Sequence, residues 1–320
     1  MPPDPITLQD VYIARQRIAG LIQPTPLWEA ADLAALTGAA VRLKLENQQT
    51  TGAFKLRGAA NKILSLTPAE KTRGVITVSS GNHGRAVSYV AGKLGVKAVI
   101  CLPETVPPNK REAIRSLGAE TIIHGQDADE AMRYADALCT ERGMTMIHPF
   151  DDPRVIAGQG TIGLELLERW PMLDTVVVPL SGGGLLAGIA LALKQANPAI
   201  RTIGVSQERG PAMVESLRAG KIVEIVEEPT LADALAGGLN WDNAYTFPLV
   251  QQYVDETVLV SEAEIAAGMT HALHQHHQVV EGGGAVGLAA LLHHKIEGLA
   301  GHTVAVVISG GNVDINKLMH

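Results

Sequence analysis

The stretch VITVSSGNHG, residues 75–84, shows the pattern on which the whole chain is built. Residues 75–78 carry the β-branched side chains of a buried strand, and a turn of Ser, Gly and Asn residues follows them. Residues 85–94 then predict a helix. The order strand, turn, helix recurs along most of the chain, which is typical of parallel sheets with helices on both faces.

Outward from this stretch, the recurring pattern predicts an α/β fold of two domains, each with a parallel-rich twisted sheet flanked by helices. Four predicted strands with helices between them place a small domain at residues 71–149. Residues 1–70 and 150–320 together predict a large, ligand-binding domain. The polar residues 150–159 are interpreted as a turn-rich crossover between the domains, followed by a helix over residues 161–169.

The overall composition limits the kind of protein this can be. Of its 320 residues, 46% are hydrophobic but only 3% aromatic, which predicts an aliphatic core, and the net charge of -7 argues against a nucleic-acid binder. The N-terminal residues lack the pattern of a secretory signal, and no apolar run reaches membrane-spanning length. Cys101 and Cys139 lie outside any CxxC pair. We therefore expect a soluble cytoplasmic protein that does not bind membranes.

Three apolar strands end in Ser- and Gly-rich turns: VITVSSGNHG, VVVPLSGGGLLAG (176–188) and VAVVISGGN (304–312). In parallel α/β sheets, ligands bind outside the carboxyl ends of the strands. Residues 181–184 precede a predicted helix, whose backbone N–H groups and dipole favour a phosphate. The alternative is that these glycines only allow close strand–helix packing. The spacing matches neither GxxxxGK[ST] nor the dinucleotide GxGxxG pattern.

A single lysine, Lys55, stands in the stretch TGAFKLRGA, residues 51–59. A lone lysine is usually a solvated surface charge. The three Ser/Gly turns favour a different interpretation, in which they hold one phosphorylated cofactor against Lys55. The turn at residues 79–84 offers hydroxyls, an amide and an imidazole, which suit a carboxylate and a ring oxygen, although an ordinary turn has a similar composition.

Five motifs in matching order resemble those of the threonine dehydratase and serine racemase family. They are TGAFKLRGA, SSGNHG (79–84), IAGQGT (156–161), SGGGLLAG (181–188) and SGGN (309–312). The resemblance extends from about residue 24 to residue 314. It implies a pyridoxal-phosphate enzyme of the second fold type, tryptophan synthase β-like, that forms a homodimer. Three further stretches, GVSQERGPAM, LNWDNAYTF and VVEGGGAVG, resemble the dehydratase-like proteins of hydroxyectoine utilisation.

The resemblance implies that pyridoxal phosphate is the cofactor and that Lys55 forms a Schiff base with it. Further cofactor contacts are implied for Phe54 and Asn82 at the ring, for Gly182, Gly183, Gly184 and Leu185 at the phosphate, for Ser309 at the pyridine nitrogen, and for Gly237 and Glu281 near the ring. The side chains implied at the substrate carboxylate are those of Ser79, Ser80 and His83.

The implied reaction is α,β-elimination on a small β-hydroxy amino acid, giving a 2-oxo acid and ammonia. Threonine, serine and an amino acid derived from hydroxyectoine are the candidate substrates. Lys55, once desolvated, is a suitable base for the Cα proton, and the cofactor is an electron sink. The alternative is an amino-acid racemase, in which Ser80 is a second base on the opposite face of the substrate from Lys55. Dehydration is favoured.

No metal site is predicted. Ser206 and Ala212 occupy positions where metal-activated members of the family carry acidic ligands. Four histidines fall on or near one predicted helix, namely His271, His274, His276 and His277. Metal ligation is one interpretation of this spacing, but a solvated helix face is favoured.

Overall fold

The computed structural model describes residues 4–239 and 242–313. Asn240 and Trp241 of the LNWDNAYTF stretch lie outside the described residues, as do residues 314–320. Within the described ranges, strands and helices alternate. The strands are β1 (Leu27–Glu29), β2 (Ala40–Leu45), β3 (Val75–Val78), β4 (Ala98–Leu102), β5 (Glu120–Ile123), β6 (Thr145–Met146), β7 (Thr175–Pro179), β8 (Arg201–Gln207), β9 (Glu256–Val260) and β10 (Thr303–Ile308).

The helices cover both faces of the sheets. They are α1 (Leu8–Ile18), α2 (Ala31–Thr37), α3 (Lys55–Leu64), α4 (Pro68–Arg73), α5 (Asn82–Leu94), α6 (Pro108–Arg115), α7 (Ala128–Arg142), α8 (Pro153–Arg169), α9 (Gly184–Ala196), α10 (Ala212–Ala219), α11 (Thr246–Tyr253), α12 (Glu262–His276) and α13 (Gly282–Leu292). None of the helices in the described part of the chain is long and apolar enough to cross a membrane.

The described strands form two sheets. The larger has the order β1-β2-β10-β7-β8-β9, and its strands pair in parallel except at β1, which is antiparallel to β2. The smaller has the order β5-β4-β3-β6 and is parallel throughout. The expected α/β architecture with parallel-rich sheets is confirmed. All strands of the smaller sheet lie between residues 75 and 146, and the domain boundaries at residues 71 and 149 stay a prediction.

The alternating side chains of the central strands explain why both faces of the larger sheet are covered. In β7, Val176 and Val178 are buried in one core cluster with residues of α8 and α9. Val177, between them, is buried in a second cluster with residues of α12 and α13. Successive strand residues point to opposite faces, so a strand buried on both faces is a continuous apolar run.

The helix α8 begins earlier than the sequence predicted. Residues 150–159 were interpreted as a crossover, yet the helix starts at Pro153, so that interpretation is wrong for most of the segment. Asp152 is the N-cap, and its side chain accepts hydrogen bonds from Arg154 N (2.8 Å) and Val155 N (3.0 Å). An Asp followed by Pro is a helix-start signal, since Pro is tolerated at the first helical position.

Glycines within α8 concealed the helix from sequence reasoning because they lower helix propensity. A Cβ on Gly158 would lie 2.7 Å from the carbonyl oxygen of Arg57, which lies on α3. A Cβ on Gly160 would lie 2.8 Å from the carbonyl oxygen of Gly188, which lies on α9. The backbones of three helices approach closely here, and only glycine fits at these two positions.

Candidate active site

A cavity of about 720 Å³ lies at the carboxyl ends of β3, β7 and β10. This is the edge of the sheets where the Ser/Gly turns were expected to meet. All but one of the side chains and backbone positions singled out from the sequence line it: Phe54, Lys55, Ser79, Ser80, Asn82, His83, Gly182, Gly183, Gly184, Leu185, Glu281 and Ser309. The exception is Gly237, because the adjoining wall of the cavity is formed by residues 233–236.

The lysine stretch is connected directly to the end of β10. Phe54 N donates to the carbonyl oxygen of Ser309 (3.0 Å), and Gly311 N donates to the carbonyl oxygen of Gly52 (2.9 Å). Between these bonds, Ala53 and Gly310 form an isolated antiparallel bridge. Two motifs from opposite ends of the chain therefore hold each other in place, and Lys55 becomes the first residue of α3.

The Lys55 amine lies inside the cavity and is only partly exposed. Its Nζ donates to the carbonyl oxygen of Pro149 (2.6 Å). Burial lowers the pKa of Lys55 to about 8, against the opposing charge of Glu281. Roughly a tenth of such an amine is uncharged at pH 7, far more than for a solvated lysine. This environment suits a nucleophile or a base.

The glycine turn after β7 has a backbone that suits an anion at the N-terminus of α9. Gly183 is the N-cap and has a φ of +87°, a conformation that favours glycine. A Cβ on Gly182 would lie 2.5 Å from the Phe150 ring, and one on Gly184 would lie 2.9 Å from the Phe150 carbonyl oxygen. The turn therefore tolerates no side chain. Its backbone N–H groups and the helix dipole favour a phosphate there.

A hydrogen-bonded group of two amides and one carboxyl connects the ends of β3 and β10 to the N-terminus of α13. Asn82 Nδ2 donates to Glu281 Oε1 (2.6 Å), and Asn312 Nδ2 donates to Asn82 Oδ1 (2.8 Å). Burial raises the pKa of Glu281 to about 7, against the hydrogen bond from Asn82. Near neutral pH the carboxyl is therefore about half protonated, and the cavity holds two groups, Glu281 and Lys55, with shifted pKa values.

The turn after β3 has groups that suit a second anion. Ser79 and Ser80 line the cavity, and α5 begins directly after them at Asn82. Hydroxyls at a helix N-terminus suit a carboxylate. Sequence reasoning therefore placed the two serines where the structure has them, although their contacts with a substrate stay a prediction.

His83 is buried against the end of the smaller sheet. Burial, with the nearby charge of Lys55, lowers its pKa to about 3, so the ring is neutral at physiological pH. Its Nε2 donates to the carbonyl oxygen of Ile147 (2.9 Å), which leaves Nδ1 as an acceptor. Nδ1 is buried and makes no hydrogen bond within the described residues. In this tautomer neither ring nitrogen of His83 has an N–H left to donate to a carboxylate.

Sequence reasoning missed an ion pair in the cavity wall. Lys110 Nζ, on α6, lies 3.3 Å from Asp233 Oδ2, in the short 3-10 turn Asp233–Leu235, and both residues line the cavity. Lys110 follows Pro107 and Pro108 beyond the carboxyl end of β4, which is a usable signal. Asp233 stands in a segment without periodicity, and nothing in its surroundings marks it.

Comparison with known proteins identifies the family. The family model of pyridoxal-phosphate dependent enzymes matches residues 18–310. The chain belongs to this family. This pyridoxal-phosphate dependent enzyme is 44% identical over 313 residues to the L-threonine ammonia-lyase of Thermotoga maritima, covering 98% of this chain and 77% of the relative. The family and cofactor expected from the motifs are confirmed.

Solved structures extend the similarity to the fold. The structure of maize serine racemase has a TM-score of 0.93 and 34% identity, and the match covers 98% of this chain and 95% of the racemase. The structure of the T.th. threonine deaminase has a TM-score of 0.87 and 41% identity, covering 96% of this chain and 99% of the deaminase. The expected fold of the second pyridoxal-phosphate type is confirmed.

Proposed function

We propose that this protein is a pyridoxal-phosphate dependent ammonia-lyase that performs α,β-elimination on threonine or serine and yields a 2-oxo acid and ammonia. The observation that carries the proposal is the Lys55 amine, which lies with a lowered pKa in the same cavity as two anion sites. Similarity to an L-threonine ammonia-lyase and a threonine deaminase supports it.

The cavity residues fit the cofactor. The glycine turn at residues 182–185, which admits no side chains at its glycines, would hold the phosphate, and Lys55 would attach the carbonyl carbon. Phe54 and Asn82 would contact the ring. Ser309 is 3% exposed and carries no charge, which suits a pyridine nitrogen that is not held protonated. When bound, the cofactor supplies an electron sink for charge that develops at Cα.

Different residues of the protein then bind the substrate and transfer the proton. Ser79, Ser80 and the N-terminus of α5 bind and orient the substrate carboxylate. The Lys55 amine accepts the Cα proton, for which a pKa of about 8 is well matched to neutral pH. Glu281 holds Asn82 through its hydrogen bond and so keeps this amide beside the cavity. Gly237, which follows the lining residues 233–236, would pass its backbone near the cofactor.

We further propose that the enzyme is a cytoplasmic homodimer, on the basis of its family resemblance. The resemblance of GVSQERGPAM, LNWDNAYTF and VVEGGGAVG to the dehydratase-like proteins of hydroxyectoine utilisation supports an amino acid derived from hydroxyectoine as an additional substrate. The mass of the protein in solution tests the homodimer, and the panel of substrates described next tests the hydroxyectoine-derived amino acid.

A panel of β-hydroxy amino acids tests the proposed reaction. We expect the holoenzyme to release ammonia and 2-oxo acid in equal amounts from L-threonine or L-serine, with smaller kcat/KM values for 3-hydroxyaspartate and a hydroxyectoine-derived diamino acid. L-Alanine, which has no β-leaving group, is the control and should release no ammonia. Failure of every β-hydroxy compound to give a 2-oxo acid would refute the proposal.

The second candidate function is racemisation, which is favoured by the position of Ser80 in the cavity with Lys55 and by similarity to maize serine racemase. We expect Ser80→Ala to raise the KM for L-serine about tenfold through one lost hydrogen bond to the carboxylate, with little change in kcat. Ser116→Ala, outside the cavity lining, is the control. D-Serine formed by the wild type and lost in Ser80→Ala would identify Ser80 as a second base instead.

A further inference from the structure

A second group of ligating side chains lies away from the cavity, where α2 meets the end of α12. Asp32 on α2 and His271 and His276 on α12 each present one ligand atom, and these atoms lie within 4.8 Å of one another. Asp32 Oδ2 lies 2.6 Å from His271 Nε2 and 3.4 Å from His276 Nε2. The two imidazole rings have centroids 5.4 Å apart.

The interpretation of these histidines as a solvated helix face is wrong for two of them. The side chain of His276 is only 10% exposed and that of His271 only 19%, whereas His274 is exposed. His276 Nε2 is buried and makes no hydrogen bond to any described residue, although Asp32 lies within ion-pair distance of it. A buried polar atom in this state requires an explanation.

We propose that Asp32, His271 and His276 form a binding site for a divalent transition-metal cation of the Zn²⁺ class, with water as the fourth ligand. Two imidazole nitrogens and one carboxylate oxygen are a donor set that such cations favour. Ligand atoms around tetrahedral zinc are separated by about 3.3 Å. The 3.4 Å separation of Asp32 from His276 matches this value, whereas Asp32 and His271, which lie 2.6 Å apart, would have to separate by about 0.7 Å.

The position of the site indicates that the cation stabilises the fold. It joins α2 to the last turn of α12, and α12 ends at His276. Beyond that residue, Gln278 Oε1 accepts hydrogen bonds from Asn47 (3.0 Å) and Gln48 (3.0 Å). The cation would therefore restrain the end of α12 where the chain turns toward the segment that precedes the lysine stretch.

The test is titration of chelator-treated holoenzyme with Zn²⁺ and Co²⁺. We expect one equivalent of Co²⁺ to give the visible d–d absorption of a four-coordinate site, with micromolar or tighter Kd. Zn²⁺ at about 100 times Kd should raise Tm by about 4 °C. Losing a residue that only supports a metal ligand weakens metal binding by up to about 100-fold. Removing a ligand itself should therefore weaken Co²⁺ and Zn²⁺ binding by at least about 100-fold.

Two ligand variants and one control isolate the site. His276→Gln and Asp32→Asn are each expected to lose the Co²⁺ absorption and the Tm rise. His274→Gln, an exposed histidine on the same helix, should bind as the wild type does. If one ligand variant does not fold, the other decides. Equal binding by the wild type and a folded ligand variant, or wild-type binding only at millimolar metal, would overturn the proposal.

Discussion

Lys55→Ala is expected to lower kcat/KM for the elimination reaction by about 10⁴-fold or more, and to yield a purified protein without the visible absorbance of lysine-bound cofactor. In the proposed mechanism, one amine both attaches the cofactor and accepts the Cα proton, so the substitution removes both functions. Loss of a positioned base alone costs about 10²–10⁴-fold. Steady-state assay of 2-oxo acid and an absorbance spectrum of the purified variant measure the two effects.

The matched control is Lys97→Ala, in which an exposed lysine paired with Glu120 is removed. It should keep full absorbance and activity. Borohydride reduction of the wild type, followed by peptide mapping, should place the cofactor on Lys55. If the label is instead found on Lys110, the other lysine that lines the cavity, the assignment of Lys55 is wrong.

The position of Lys55 beside the three Ser/Gly turns could be predicted from the sequence because each of these turns is a local signal. Each Ser/Gly turn directly follows an apolar run, and the carboxyl ends of parallel strands meet at one edge. The alternation of strands and helices likewise predicted the α/β fold. These features depend on short stretches of chain and on a general rule of topology, so they need no knowledge of which distant residues meet.

Other features could not be predicted, because they depend on contacts between residues that are far apart in the sequence. Asp32 and His271 are separated by 239 positions, so only the fold shows that they are neighbours. The pair Lys110 and Asp233 has the same origin. The start of α8 was missed for another reason. Its glycines allow close contact between helices, but in a sequence a glycine of this kind cannot be distinguished from a turn glycine.

Arg57→Ala is expected to lower the free energy of unfolding by about 3–5 kcal/mol. Arg57 lies two residues after Lys55 and is only 1% exposed. Its Nε lies 2.8 Å from Glu46 Oε2, and its Nη1 lies 2.6 Å from Glu165 Oε1. Removing the guanidinium would leave two buried carboxylates with Lys44 as their remaining cation. Urea unfolding of wild type and variant at pH 7 measures the difference.

The pH dependence of this effect has a definite sign. Although burial opposes it, Arg57 and Lys44 together hold the pKa of Glu165 below its usual value. A carboxyl with a lowered folded-state pKa contributes stability above its unfolded pKa and loses it as the pH falls through the folded one. The stability gap between wild type and Arg57→Ala should therefore narrow below about pH 4, as Glu165 becomes protonated.

The control for Arg57 is Arg218→Ala, whose partner Glu215 lies three residues away on an exposed helix face, with side chains 61% and 41% exposed. Surface pairs of this kind contribute about 0.5 kcal/mol. A loss of similar size for Arg57 would show that water reaches the network in solution. A large loss would show that a desolvated network links α3 to α8 and holds in place the helix whose first residue is Lys55.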